Sequence, residues 1–126
     1  DNVKVLDVCC GDCALYKREL KGRVTYVGID INPSFIEKAR KQSIKILPLN
    51  LITANLPCSD YVIMQASLYQ FIPMHKQIVD KLINSAKGKV IISESISRNE
   101  TKRHTQKITI VFEKTKVCTK TYTEES

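Results

Sequence analysis

The chain has 126 residues, 43% hydrophobic and 26% charged, one domain's worth of sequence and enough to bury roughly two thirds of its unfolded surface. That balance excludes a disordered or fibrous protein, and no apolar run approaches the ~18 residues of a membrane-spanning helix. Of 20 basic residues behind a net charge of +7, seven fall in Arg98–Lys120 against two acidic ones, a stretch that reads first as a solvated face and second as a phosphate-contacting patch.

Five short apolar runs rich in β-branched residues predict strands at Val3–Val8, Thr25–Ile31, Ile44–Leu49, Tyr61–Ala66 and Lys89–Ser93. None alternates strictly with polar residues, as befits strands covered on both faces. Ala14–Leu20 reads as a short helix ended by Lys21-Gly22. Ser34-Phe35-Ile36-Glu37 has the form of a capping box behind Pro33, with Ala39 and Arg40 continuing at helical spacing. His75–Ala86 lines up Ile78, Val79, Leu82, Ile83 and Ala86 on one face, with Gly88 as the expected stop.

Strands alternating with helices are the grammar of a parallel sheet with right-handed crossovers. The expectation is an α/β, Rossmann-like doubly wound sheet in three α/β/α layers, its parallel strands ordered 3-2-1-4-5. Residues 1–97 form the core, and 98–126 a basic C-terminal segment of the same domain. In that segment Lys107–Lys114 and Lys116–Tyr122 read either as a hairpin around Thr115 or, through Ile108, Val111, Phe112 and Thr115, as a helical face. Irregular structure is expected there, with the C-terminal strands of the sheet either undetermined or missing. Both ends read as cut: Asp1-Asn2 enters the first strand without an initiator methionine or a secretory leader, and Thr123–Ser126 looks like a helix start.

Three of the five cysteines crowd into Cys9-Cys10-Gly11-Asp12-Cys13. An odd, clustered set does not read as a disulfide framework, so a reducing cytoplasm is expected. Cys10 and Cys13 have metal-ligand spacing, but Cys58 and Cys118 supply no second pair, and no metal is expected.

Ligands of such sheets bind beyond the carboxyl ends of the strands. There the Asp7–Cys13 turn joins a strand to a helix, and its backbone N–H groups can face an anionic or polar ligand. Asp30 ends the second strand nineteen residues after Gly11, where a carboxylate can accept from both hydroxyls of a ribose. Together they point to a nucleoside-type ligand.

These residues resemble the class I S-adenosylmethionine-dependent methyltransferases, nearest the small-molecule type that includes ubiquinone-biosynthesis enzymes. Leu6-Asp7-Val8-Cys9-Cys10-Gly11-Asp12-Cys13 lies over the first motif of that family, Leu-Asp-x-Gly-x-Gly-x-Gly. Val27–Pro33 looks like its second motif, Asn50-Leu51 stands at its usual Asp-Ala pair, and Ser59–Ile63 with Gln65–Phe71 resembles its fourth. The resemblance covers about residues 3–97. It implies S-adenosylmethionine as cofactor, held by Asp7, Cys9, Gly11, Asp30, Ile31, Asn50, Leu51 and Gln65, and in-line methyl transfer to a small-molecule acceptor. Tyr69 and Glu94, and less so His75, are the candidates facing that acceptor; no catalytic residue is assigned. The departures are Cys9 and Cys13 in place of two glycines, Asn50 in place of an aspartate, and five strands where the family has seven. Two rival readings stand beside it. One is a nicotinamide oxidoreductase, against which the missing glycines count. The other is a non-catalytic methyltransferase-like module that binds RNA or a protein through Arg98–Lys120.

Overall fold

The computed structural model describes residues 2–97 and 105–113. Strands β1 (Val3–Val8), β2 (Val24–Ile29), β3 (Ile46–Leu47), β4 (Ser59–Gln65), β5 (Ala86–Ser97) and β6 (Thr105–Glu113) form one sheet in the order β3-β2-β1-β4-β5-β6. The first five are parallel and β6 is antiparallel to β5. The expected 3-2-1-4-5 order is therefore the one observed. Helix α1 (Pro33–Lys41) follows β2, and α2 (His75–Ser85) links β4 to β5. No helix among the described residues is long and apolar enough to cross a membrane.

The period-2 alternation of each strand divides the core into two clusters, one per sheet face. Leu6, Val8, Ile29, Val62, Met64, Val90 and Ile92 pack with Ile78 and Leu82 of α2. On the other face Tyr26 packs with Cys13, Ala39 of α1 and Ile44. Coverage of that second face thins toward β6: Ile63 and Ile91 are half-buried there and Val111 is exposed.

Several local expectations are corrected. Residues 105–113 are not irregular but a strand, because Ile108, Ile110 and Phe112 alternate at period 2 and Val90 stands opposite Phe112, which packs on the α2-side core. The expected hairpin partner, 116–122, lies outside the described residues. Gly88 does not stop α2; the chain turns extended at Ala86 and Gly88 lies inside β5. A Cβ on Gly88 would stand 3.2 Å from the Asp60 carbonyl oxygen and 3.3 Å from the Tyr61 ring, so glycine serves a close approach there. Helix α1 is capped by Asn32, whose side chain accepts from the Ser34 N–H, and Pro33 occupies its first turn. Glu37, expected to reach back to the cap, instead binds Arg40. The segment after β1 closes as a wide turn over Tyr16–Leu20, with the Lys21 N–H reaching the Tyr16 carbonyl.

Gly28 sets how closely β2 approaches the turn after β1. A Cβ there would lie 2.6 Å from the Cys10 Sγ and 3.3 Å from the Ile46 Cγ1. Gly28→Ala is expected to destabilise the chain by roughly 1–3 kcal/mol through overpacking. Adding Cys10→Ala removes the thiol and should recover part of that loss. Urea unfolding of wild type, both single variants and the double variant checks it; strict additivity would show that the two groups do not collide.

Candidate functional site

The turn after β1 is built from three left-handed residues in alternation: Cys9 (φ 57°), Gly11 (φ 56°) and Cys13 (φ 62°). Only glycine adopts this conformation freely; a side chain there costs about 1–2 kcal/mol. These are the three positions at which the family pattern has glycine. Two cysteines hold the glycine geometry under strain, each anchored by packing. Cys13 is buried beside Tyr26, and Cys9 packs on the α2-side core. The Cys10 N–H donates to the Ile29 carbonyl at 3.0 Å, which ties the turn to the end of β2. A Cβ on Gly11 would meet nothing closer than the Phe35 ring at 4.0 Å, so the space over the turn is open.

Asp30 closes this corner. Its Oδ2 accepts the Gly11 N–H at 2.9 Å and its Oδ1 accepts the Asn32 N–H at 3.0 Å. Each oxygen keeps a further acceptor site, and the residue is half-exposed at the crevice rim. Ile31 beside it is 61% exposed. Asp7, by contrast, is buried on the sheet face opposite α2, where its Oδ2 accepts the Tyr26 hydroxyl proton. Burial pushes its carboxyl up to about 6; the Tyr26 bond opposes the shift and the nearby Asp30 charge adds to it. Asp7 thus supports the turn from beneath.

In the turn after β4, Ala66 is also left-handed (φ 52°). Glu94, near the middle of β5, accepts the Ser67 N–H at 2.9 Å and the Leu68 N–H at 3.3 Å through Oε2. Its carboxylate pins this turn. The Ser67 hydroxyl donates to the Gln65 carbonyl at 3.0 Å. Burial, with the Asp30 charge, pushes the Cys9 thiol up to about 11 and keeps it protonated at neutral pH. Cys9, Cys10 and Cys13 are free thiols. Cys58 is disulfide-bonded, which departs from a fully reduced set.

At the β3 end, Asn50 is exposed and its Oδ1 accepts the Ile52 N–H at 2.9 Å, while Leu51 is buried in the α2-side core. Lys81 of α2 donates to the carbonyls of Leu51, Ile52 and Ala54. Gln65 is exposed at the end of β4. Tyr69 is 63% exposed on the single turn Leu68–Phe71, and His75 is exposed at the start of α2. The structure therefore joins Gly11 and Asp30 directly, with Cys9 on the same turn, and ties Glu94 to the amides of Ser67 and Leu68. It leaves Gln65, Tyr69 and His75 at the rim. Tyr26, Ser67 and Lys81 were not singled out in the sequence. Tyr26 had a faint signal as an aromatic in β2 near Asp7; Ser67 and Lys81 had none.

No protein-family profile matches the chain, and no match is found among curated proteins. Solved structures do match. Magnesium protoporphyrin IX methyltransferase from Synechocystis PCC 6803, crystallised with S-adenosylmethionine, is 17% identical with a TM-score of 0.67, over 80% of this chain and 55% of that one. The N-methyltransferase NodS from Bradyrhizobium japonicum WM9 is 14% identical with a TM-score of 0.62, over 76% and 60%. The [4+2]-cyclase SpnF is 16% identical with a TM-score of 0.63, over 79% and 41%. The chain thus spans about half the length of the structures it matches, and they do not share one reaction. The sheet order and these matches show the fold: this chain has the fold of the class I S-adenosylmethionine-dependent methyltransferases.

Proposed function

We propose that this chain binds S-adenosylmethionine in the crevice over β1, β2 and β4 and forms the cofactor-binding part of a methyltransferase for a small-molecule acceptor. The observation that carries the reading is the Asp30 carboxylate. It bridges two amides while keeping an acceptor on each oxygen at the rim, which suits a vicinal diol. The open space over Gly11 suits a ligand laid against the backbone of the turn. The donor set fits the cofactor, with the Cys9 side chain as a thiol wall where the family has none.

When bound, the cofactor supplies an activated methyl group on a sulfonium, so no side chain has to assist the leaving group. This chain's own residues then orient and shield. Asp30 holds the ribose hydroxyls, Asn50 and the Leu51 backbone meet the base, and Ile31 covers it from water. The turn pinned by Glu94 forms the wall between cofactor and acceptor, where alignment supplies most of the rate. Glu94 acts here through two amides rather than as a general base. Cys9, held as a neutral thiol, does not compete as a nucleophile.

Calorimetric titration of the chain with S-adenosylhomocysteine tests the reading, with a nicotinamide dinucleotide as control. Saturable binding of the first alone is expected. Dinucleotide binding alone would favour the oxidoreductase, and binding of neither would leave a fold without its cofactor.

A further inference from the structure

We propose that Lys81 is a positioning residue for the nucleoside end of the crevice, acting from α2 through the turn at 50–54. The inference rests on reading that crevice as a cofactor site. Its direct basis is a convergence of three carbonyls on one ammonium. Lys81 Nζ lies 2.8 Å from the Leu51 oxygen, 2.8 Å from the Ala54 oxygen and 3.2 Å from the Ile52 oxygen. An ammonium has three N–H donors, and here each has an acceptor. Three carbonyl dipoles aimed at one point repel each other unless a cation stands there, so the turn and the lysine require one another.

The same turn is closed from within by Asn50. Its Oδ1 accepts the Ile52 N–H at 2.9 Å, and its carbonyl accepts from the N–H groups of Thr53 at 3.2 Å and Ala54 at 2.8 Å. Asn50 is thus fixed by the residues that follow it, and their carbonyls are fixed by Lys81. The sheet gives this turn little other support. β3 is two residues long, and its ladder with β2 ends at Leu47, three residues before Asn50. The buried Leu51 side chain is a further anchor. Partial burial also lowers the Lys81 pKa, as expected for an ammonium drawn out of water toward backbone oxygens.

The ordinary role for such a lysine is generic stability, so the test separates a local clamp from a global one. Lys81→Met keeps the apolar stem and removes the ammonium; Lys81→Arg restores a cation with several donors. Amide hydrogen exchange is expected to speed up about tenfold at Ile52, Thr53 and Ala54 in Lys81→Met, with β1 and β4 unchanged and Lys81→Arg close to wild type. Affinity for S-adenosylhomocysteine and for adenosine alone should fall by the same factor, about tenfold, in Lys81→Met. That equality places the defect at the nucleoside end. Faster exchange throughout the sheet, unchanged exchange at 52–54, or unchanged affinity in Lys81→Met would each overturn the inference. Wild type that binds neither ligand, with exchange loosened only at 52–54, would overturn the cofactor reading while leaving the clamp in place.

Discussion

Replacing Asp7 with Asn is expected to abolish a pH dependence of stability worth about 2.5 kcal/mol between pH 4 and pH 7. The carboxyl is pushed from 3.8 to about 6, chiefly by burial. In that window the folded chain keeps a proton that the unfolded chain has released. The unfolded state then binds fewer protons, so stability falls as pH rises. The contribution is complete below the ordinary carboxyl value and is lost as pH passes through about 6. The Tyr26 hydroxyl limits the loss by donating to the ionised form, and the Asp30 charge enlarges it. An asparagine cannot ionise. The difference in unfolding free energy between wild type and Asp7→Asn should therefore move toward the variant by about 2.5 kcal/mol as pH rises through the window. A difference that stays flat from pH 4 to pH 7 would mean that Asp7 is solvated like any surface acid. Taking a difference between the two proteins cancels the titration of the other carboxylates.

The parallel core was legible because it depends on local signals that agree. β-branched runs, a helix between each pair and the right-handed crossover rule leave few arrangements, and Val8, Ile29 and Met64 lie where those rules place them. Boundaries were less legible. Gly88 looks like a helix stop in sequence, yet its lack of a side chain serves the approach of β5 to Asp60 and Tyr61. β6 stayed undecided because Lys107–Lys114 suits a strand or a helical face equally until a partner strand is known. The site divides in the same way. Asp30 and Gly11 could be paired from their spacing. The fate of Glu94 could not, because a carboxylate that accepts two amides 26 and 27 residues away leaves no trace in sequence. The burial of Asp7 against Tyr26 could not be read either, because motif position does not reveal which face of the sheet a strand residue occupies. Its neighbour across the pair is Gly28, but its partner is Tyr26, two residues along β2 on the same face.

Asp30→Asn should erase the preference of this chain for a ribose over a 2′-deoxyribose. In wild type each carboxylate oxygen has one acceptor site left after binding the Gly11 and Asn32 amides. A hydroxyl donating to an ionised carboxylate contributes roughly 1.5–3 kcal/mol, so adenosine should bind about ten- to a hundredfold more tightly than 2′-deoxyadenosine. Asparagine keeps the shape but loses the charge, and its NH₂ faces an amide N–H that needs an acceptor. The Gly11 turn will therefore loosen as well, and simple loss of affinity would not separate the two effects. The ratio of affinities does separate them, because a loosened turn weakens both nucleosides alike. Calorimetric titration of both proteins with both nucleosides closes the cycle. A ratio near one in the variant and well above one in wild type assigns the hydroxyl to Asp30. An equal ratio in the two proteins would place the ribose elsewhere and leave Asp30 as the clasp between the β1 turn and the end of β2.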